Sequence, residues 1–190
     1  MKLSEYIQQG NQALKESNWE MALQYWSMVY AQVPKHQWAG ITLGLALFRL
    51  NRFDEAAHYL LDDVELHPDR ELAFIYLAKI SQAQENWELN VQQCGIIVSL
   101  FPNYEWALQL YANALNQVGE LNKAERYFHM DVAQYSKHVY SRLGLIQIAI
   151  DKLQFRLAQH RIEDVFQTYP EMKNHIKAYQ IMIQYSMADA

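Results

Sequence analysis

A single cysteine, Cys94, stands in a chain of 190 residues. No disulfide can form within it, so a disulfide-stapled scaffold is excluded and a reducing compartment is the natural setting. Six glycines and four prolines are too few for the closely spaced turns of an all-β fold. No stretch approaches the ~18 uninterrupted apolar residues that span a bilayer. The first residues, MKLSEYIQQGNQ, have no apolar run behind Lys2. No secretory signal is expected, and the expected location is cytoplasmic. An excess of positive charge is also missing. There are 16 Lys and Arg against 21 Asp and Glu, a net charge of −5, which speaks against a general nucleic-acid binder. The acidity is uneven: residues 1–71 hold six basic and ten acidic side chains, the remainder ten and eleven.

Catalytic signatures are absent too. There is no GxSxG, no Walker loop and no glycine-rich phosphate cradle. Seven histidines (His36, His58, His67, His129, His138, His160 and His175) are scattered without an HExxH or other paired-ligand spacing, and are expected at the surface or in loops. The acids around Pro68 (Asp62, Asp63, Glu65, Asp69 and Glu71) lack the alternation of a calcium loop and are expected to be solvated. Cys94 is expected to be a small buried hydrophobe. No catalytic residue, no metal site and no cofactor is expected. With 51% hydrophobic and 19% charged residues, the chain has enough apolar material for a core and does not have the composition of a disordered tail.

What the chain does have is a period. A step of 34 residues from Pro34 reaches Pro68, Pro102, Ser136 and Pro170. From Trp19 it reaches Phe53, Trp87, Leu121 and Phe155; from Ala22, Ala56, Asn90, Ala124 and Ala158; from Gly10, Gly44, Ala78, Ala112 and Ile146. Each column has a physical reason. Small residues in two successive helices let the backbones cross closely. The bulky residue before the second helix plugs the hairpin end. Proline ends that helix, because it lacks an N–H and disfavours helix in the residue before it. Apolar spacing near 3.6 residues on both sides of each short turn gives helix–turn–helix units. One such unit cannot bury its apolar face alone; stacking buries it.

These columns resemble the tetratricopeptide repeat, and "LGLALFRLNRFDEAAHYLLDDVELHP" (residues 43–68) is the best copy. The resemblance implies an all-α, right-handed superhelical solenoid of about five antiparallel helix pairs in a single domain, 1–190. The repeats fall at about 3–36, 37–70, 71–104, 105–138 and 139–170. Met172, Ile176, Tyr179, Ile183 and Met187 recur at three- and four-residue steps, so residues 171–190 are expected to form an amphipathic helix that caps the stack, a partner-binding helix being the alternative. Asn90 and Cys94 depart from the family pattern in the third repeat. Ser136 departs in the fourth, and the bulk of Ile146 makes the fifth degenerate.

In this family the first helix of each pair lines a concave face. That implies a partner-binding groove built from Trp38 and Thr42 in the second repeat and Leu72, Tyr76 and Lys79 in the third. The fourth repeat adds Trp106, Gln109, Leu110, Asn113 and Gln117; the fifth adds Tyr140 and Gln147. Trp38, Leu72, Tyr76, Trp106 and Tyr140 are expected to be exposed there as an aromatic and apolar stripe, material of the kind that anchors partners. The family's clamp for a C-terminal carboxylate is matched only at Asn11. The function expected is a protein–protein interaction scaffold holding a peptide or helix of another protein. The alternatives are a bacterial secretion-type chaperone for a hydrophobic client and a non-catalytic, oligomerising subunit of a larger assembly. A homo-oligomer is compatible with either.

Overall fold

The computed structural model describes residues 2–188. Among them every regular element is helical. The helices are α1 (Leu3–Lys15), α2 (Trp19–Gln32), α3 (Ala39–Arg49), α4 (Phe53–Leu66), α5 (Glu71–Ala83), α6 (Trp87–Leu100), α7 (Ala107–Gln117), α8 (Leu121–Gln134), α9 (Val139–Asp151), α10 (Phe155–Thr168) and α11 (Lys173–Ala188). A 3₁₀ turn, Pro170–Met172, precedes α11. The ten helices before it form five consecutive pairs. Asp189 and Ala190, the end of the expected capping helix, lie outside the described residues. The chain forms two compact units, residues 1–97 and 98–190.

Each helix pair turns through the same backbone device. Ser17, Asn51, Glu85, Gly119 and Leu153 all have positive φ, between 55° and 78°, and stand 34 residues apart. In each case the left-handed residue donates its N–H back three residues, and its successor donates back five. Ser17 bonds Leu14 O and Asn18 bonds Ala13 O; Leu153 bonds Ile150 O and Gln154 bonds Ala149 O. This pair of bonds satisfies the last carbonyls of the first helix and starts the next helix at once. Asn18 and Asn86 then cap their helices by accepting from the backbone N–H of Met21 and Leu89,.

The ends of the second helices are equally regular. Val33, His67 and Tyr169 adopt extended φ and intermediate ψ just before proline, as the proline ring requires. Tyr135 adopts the same backbone before Ser136. There the turn is held by side chains instead: the Ser136 carbonyl accepts from Arg142 and from the Tyr169 hydroxyl.

In unit one, α1 packs on α2, α2 on α3, and α3 on both α4 and α5. A Cβ on Gly10 would lie 2.7 Å from the Trp26 ring, and one on Gly44 2.5 Å from Leu60. The small-residue column is therefore a packing requirement. Where Asn90 replaces alanine, its side-chain amide donates to Ala78 O and to Ser81 Oγ, so the buried polar group is satisfied. In unit two, α8 packs on α7 and α9, and α10 on α9. Ile146 is fully buried, and Gly144 makes the close approach, to Phe128. α11 lies on α9 and α10, contributing Ile176 and Ile183 to the core around Ile146 and Ile162. Met187, expected to share that apolar stripe, is more than half exposed.

Candidate functional site: the first-helix faces

Trp38 occupies the N-cap position of α3 with half of its surface exposed. The Arg70 guanidinium carbon lies 4.7 Å from its ring centroid. Arg70 is itself anchored: Nη1 donates to Asp63 Oδ1 at 2.5 Å and Nη2 to Gln37 O at 2.7 Å. Asp63 is only 2% exposed. Burial pushes its carboxyl up from the usual carboxylate range, against the pull of Arg70, His67 and the Ile41 backbone N–H,. Asp63 was expected in solvent with its acidic neighbours; the structure places it inside, where Arg70 balances it. Beside Trp38 opens a cavity of about 400 Å³ lined by Ile7, Asn11, Trp26, His36, Trp38 and Thr42. Trp26 is buried and its indole N–H has no partner.

One residue of the expected stripe, Tyr76, and one other residue of the expected groove, Thr42, lie deep. Tyr76 and Thr42 are each only 8% exposed. Tyr76 is covered edge-on by Phe48, with ring centroids 5.1 Å apart, and by Lys79, whose Nζ lies 5.0 Å from the ring. The family resemblance implied that Tyr76 lies on the first-helix face but could not show what covers it. Leu72 and Lys79 are exposed.

Unit two repeats the Trp38 arrangement 68 residues on. Trp106, at the N-cap of α7, is 40% exposed and stacks on His138, with centroids 4.2 Å apart and planes within 7°. His138 is buried, contrary to its expected surface position. Its Nδ1 lies 3.0 Å from Asp131 Oδ2, and its Nε2 3.1 Å from Glu105 Oε1. Tyr135 also stacks on the imidazole. Asp131 has no exposed surface and accepts from Ser141 Oγ at 2.6 Å. Sequence reasoning missed both buried acids, although the 68-residue recurrence was there to read.

The other expected residues of unit two are spread along α7 and α9. Tyr140 is half exposed, its ring edge-on to His175 of α11. Asn113 and Gln117 are exposed; Gln109, Leu110 and Gln147 are half-buried. Gln109 Oε1 and the neighbouring Asn116 Oδ1 are buried acceptors without a partner. The Gln147 amide donates to Asp151. Cys94 is buried, and burial pushes its thiol up to about 12, which leaves it protonated and unreactive. Among the described residues, no group of three or more His, Cys, Asp or Glu could hold a metal ion, and no helix is long and apolar enough to cross a membrane.

Stacked helical hairpins with a 34-residue period, each turning on a left-handed residue, define a helical-repeat protein. Solved structures give the repeat its name. A tetratricopeptide repeat protein from Parabacteroides merdae superposes with a TM-score of 0.85 at 15% identity, covering 98% of this chain and 77% of the other. MamA from Desulfovibrio magneticus gives 0.81 at 16%, covering 87% and 93%. YrrB, described as a TPR protein with an unusual peptide-binding site, gives 0.79 at 16%, covering 92% and 90%. This chain has the tetratricopeptide-repeat fold. No family model matches its sequence, and no curated protein does.

Proposed function

We propose that this chain is a non-catalytic interaction scaffold, and that its first-helix faces hold a peptide or helical segment of another protein. The observation that carries this reading is the open cavity of about 400 Å³ beside the exposed ring of Trp38. A large aromatic fixed from behind by a guanidinium, next to an apolar recess with a few polar groups, has the makings of an interaction anchor. The Asn113 and Gln117 amides of unit two suit the backbone of an extended peptide. The peptide-binding site named for YrrB is consistent with this use of the fold. The partner is a protein rather than a nucleic acid, and the cysteine content suits a cytoplasmic setting.

The test is affinity capture from the source cell with the wild-type chain and with W38A/W106A. Partners held by these faces should disappear from the second capture, each truncation weakening binding by about 1–3 kcal/mol. Retention of every partner would remove the reading. A chaperone of a hydrophobic client would use the same wall, and would show itself by keeping a co-expressed client soluble.

A second reading rests on α11, where Ile181, Met182, Tyr185 and Met187 are exposed and Tyr185 keeps 71% of its surface. An oligomerising subunit would use this face. Sedimentation of the wild-type chain against M182D/Y185D tests it: a dimer should dissociate in the variant. A monomeric wild type would dismiss the idea.

A further inference from the structure

Unit one sorts its charge by helix. The second helices carry Glu20 on α2, five acids on α4 and Glu88 on α6, with no Lys or Arg. The first helices carry Lys15, Arg49 and Lys79, and their two acids, Glu5 and Glu71, sit in first turns. Among the described residues, none of the three cations belongs to an ion pair. Two are held instead on aromatic faces: the Arg49 guanidinium carbon lies 5.4 Å from the Trp19 ring, and Lys79 Nζ 5.0 Å from that of Tyr76,. Lys15 and Arg49 also answer the carbonyl charge at their helix ends. Lys79 is not in the last turn of α5, so helix ends do not account for the set.

Arg49 lies on the same helix as the cavity's Thr42, and Lys79 on the next first helix. Trp38, Thr42, Leu45 and Arg49 follow one another at steps of four, three and four residues, one stripe along α3,. Phe48 and Tyr76, with rings 5.1 Å apart, join this stripe to Lys79 on α5. The cavity lies at one end of the stripe and Arg49 at the other. Eleven residues of helix rise about 16 Å, the length of about five residues of extended peptide.

We infer that unit one binds an anionic peptide segment of another protein. A large apolar side chain of that segment fills the cavity beside Trp38, and internal Asp or Glu residues about five positions away meet Arg49 and Lys79. This rests on the scaffold reading above and names the chemistry of its ligand. The exposed acids of the second helices, Glu20, Asp54, Glu55, Glu65 and Glu88, would repel the same segment, so charge also selects the face on which it lands.

The probe is a phage-displayed library of random 12-residue peptides, panned on the full chain. Enriched sequences are then synthesised and titrated by fluorescence anisotropy into wild type, W38A, R49Q/K79Q and R49E/K79E, each checked for folding by circular dichroism. The expected result is an apolar anchor with Asp or Glu four to six positions away. Affinity should fall about tenfold or more in R49Q/K79Q and in W38A, and should weaken between 50 and 300 mM salt by screening. R49E/K79E should prefer Lys-containing peptides. Enriched peptides without acids, or R49Q/K79Q binding within about twofold of wild type while W38A fails, would overturn the anionic ligand and leave the scaffold reading standing. Peptides indifferent to both W38A and R49Q/K79Q would overturn the face itself, and a library yielding no binder would count against both.

Discussion

Arg70 is the residue on which the Trp38 platform depends, and replacing it by methionine isolates that dependence. R70M keeps the length and apolar character of the stem. It deletes two hydrogen bonds, at 2.5 Å to Asp63 and 2.7 Å to Gln37 O, together with the ring contact at 4.7 Å. The larger effect falls on Asp63, which is left charged, 2% exposed and unpaired. Breaking a buried ion pair from one side costs about 3–5 kcal/mol. The Arg70 side chain retains 17% of its surface, which places the loss near the lower end, at about 3 kcal/mol. D63N should cost less, about 1–2 kcal/mol, because a freed guanidinium at that exposure can still reach water. The double variant should cost less than the two together, with a coupling of about 2 kcal/mol. Urea unfolding followed by circular dichroism and tryptophan emission measures all three. The pH dependence has a definite sign. Burial already raises the Asp63 carboxyl, and loss of Arg70 raises it further, so the native variant takes up a proton that the unfolded chain does not hold. The penalty of R70M is therefore full at pH 8. It shrinks as pH falls towards the ordinary carboxylate value near ~4. A cost under about 1 kcal/mol, or one that does not shrink as pH falls, would refute the account of Asp63 as a buried charge balanced by Arg70.

Leu153 holds φ at 58° with 65% of its surface exposed. L153G should raise stability by up to about 1 kcal/mol in thermal unfolding, because relief of left-handed strain exceeds the added freedom of the unfolded chain; a loss of stability would contradict this. Glu125 accepts from Lys152 Nζ at 2.6 Å and from Arg161 Nη2 at 3.0 Å. Burial pulls its carboxyl up, but these two cations outweigh burial and hold it below the usual range. E125Q should cost about 1–2 kcal/mol at pH 7. A depressed carboxyl contributes fully above its unfolded value and loses that contribution as pH falls through its folded value, so wild type and variant should converge in acid. A gap that persists at pH 3 would assign the effect to packing.

The helix pairs were legible in the sequence because each column is imposed by local sterics: a proline after the second helix, a small residue at the crossing, a bulky one at the hairpin. The left-handed turn position was not, because only Asn51 and Gly119 are residue types that favour it, while Ser17, Glu85 and Leu153 are carried there by the packing of the helices on either side. Which residues fall on, or at the start of, the first helices was also legible. Their depth was not, since Tyr76 is covered by Phe48 from the preceding repeat. Asp63 was misread because a charge in an acidic stretch looks solvated when only its neighbours in sequence are considered, and Asp131 was not singled out at all. Their register holds the missing information. At the position of Asp63 and Asp131, the other repeats place Val29, Ile97 and Val165, all buried. Seven residues on, Asp63 and Asp131 meet Arg70 and His138, whereas the apolar residues are followed by His36, Tyr104 and Met172. An acid at this depth stands with a hydrogen-bonding partner, the Arg70 guanidinium or the His138 imidazole, or an apolar residue takes its place, since a buried carboxylate left without a partner would cost several kcal/mol. The 34-residue period of the fold thus carries a 68-residue alternation in charge. That alternation sets an exposed tryptophan over a pinned cationic or imidazole side chain once in each unit.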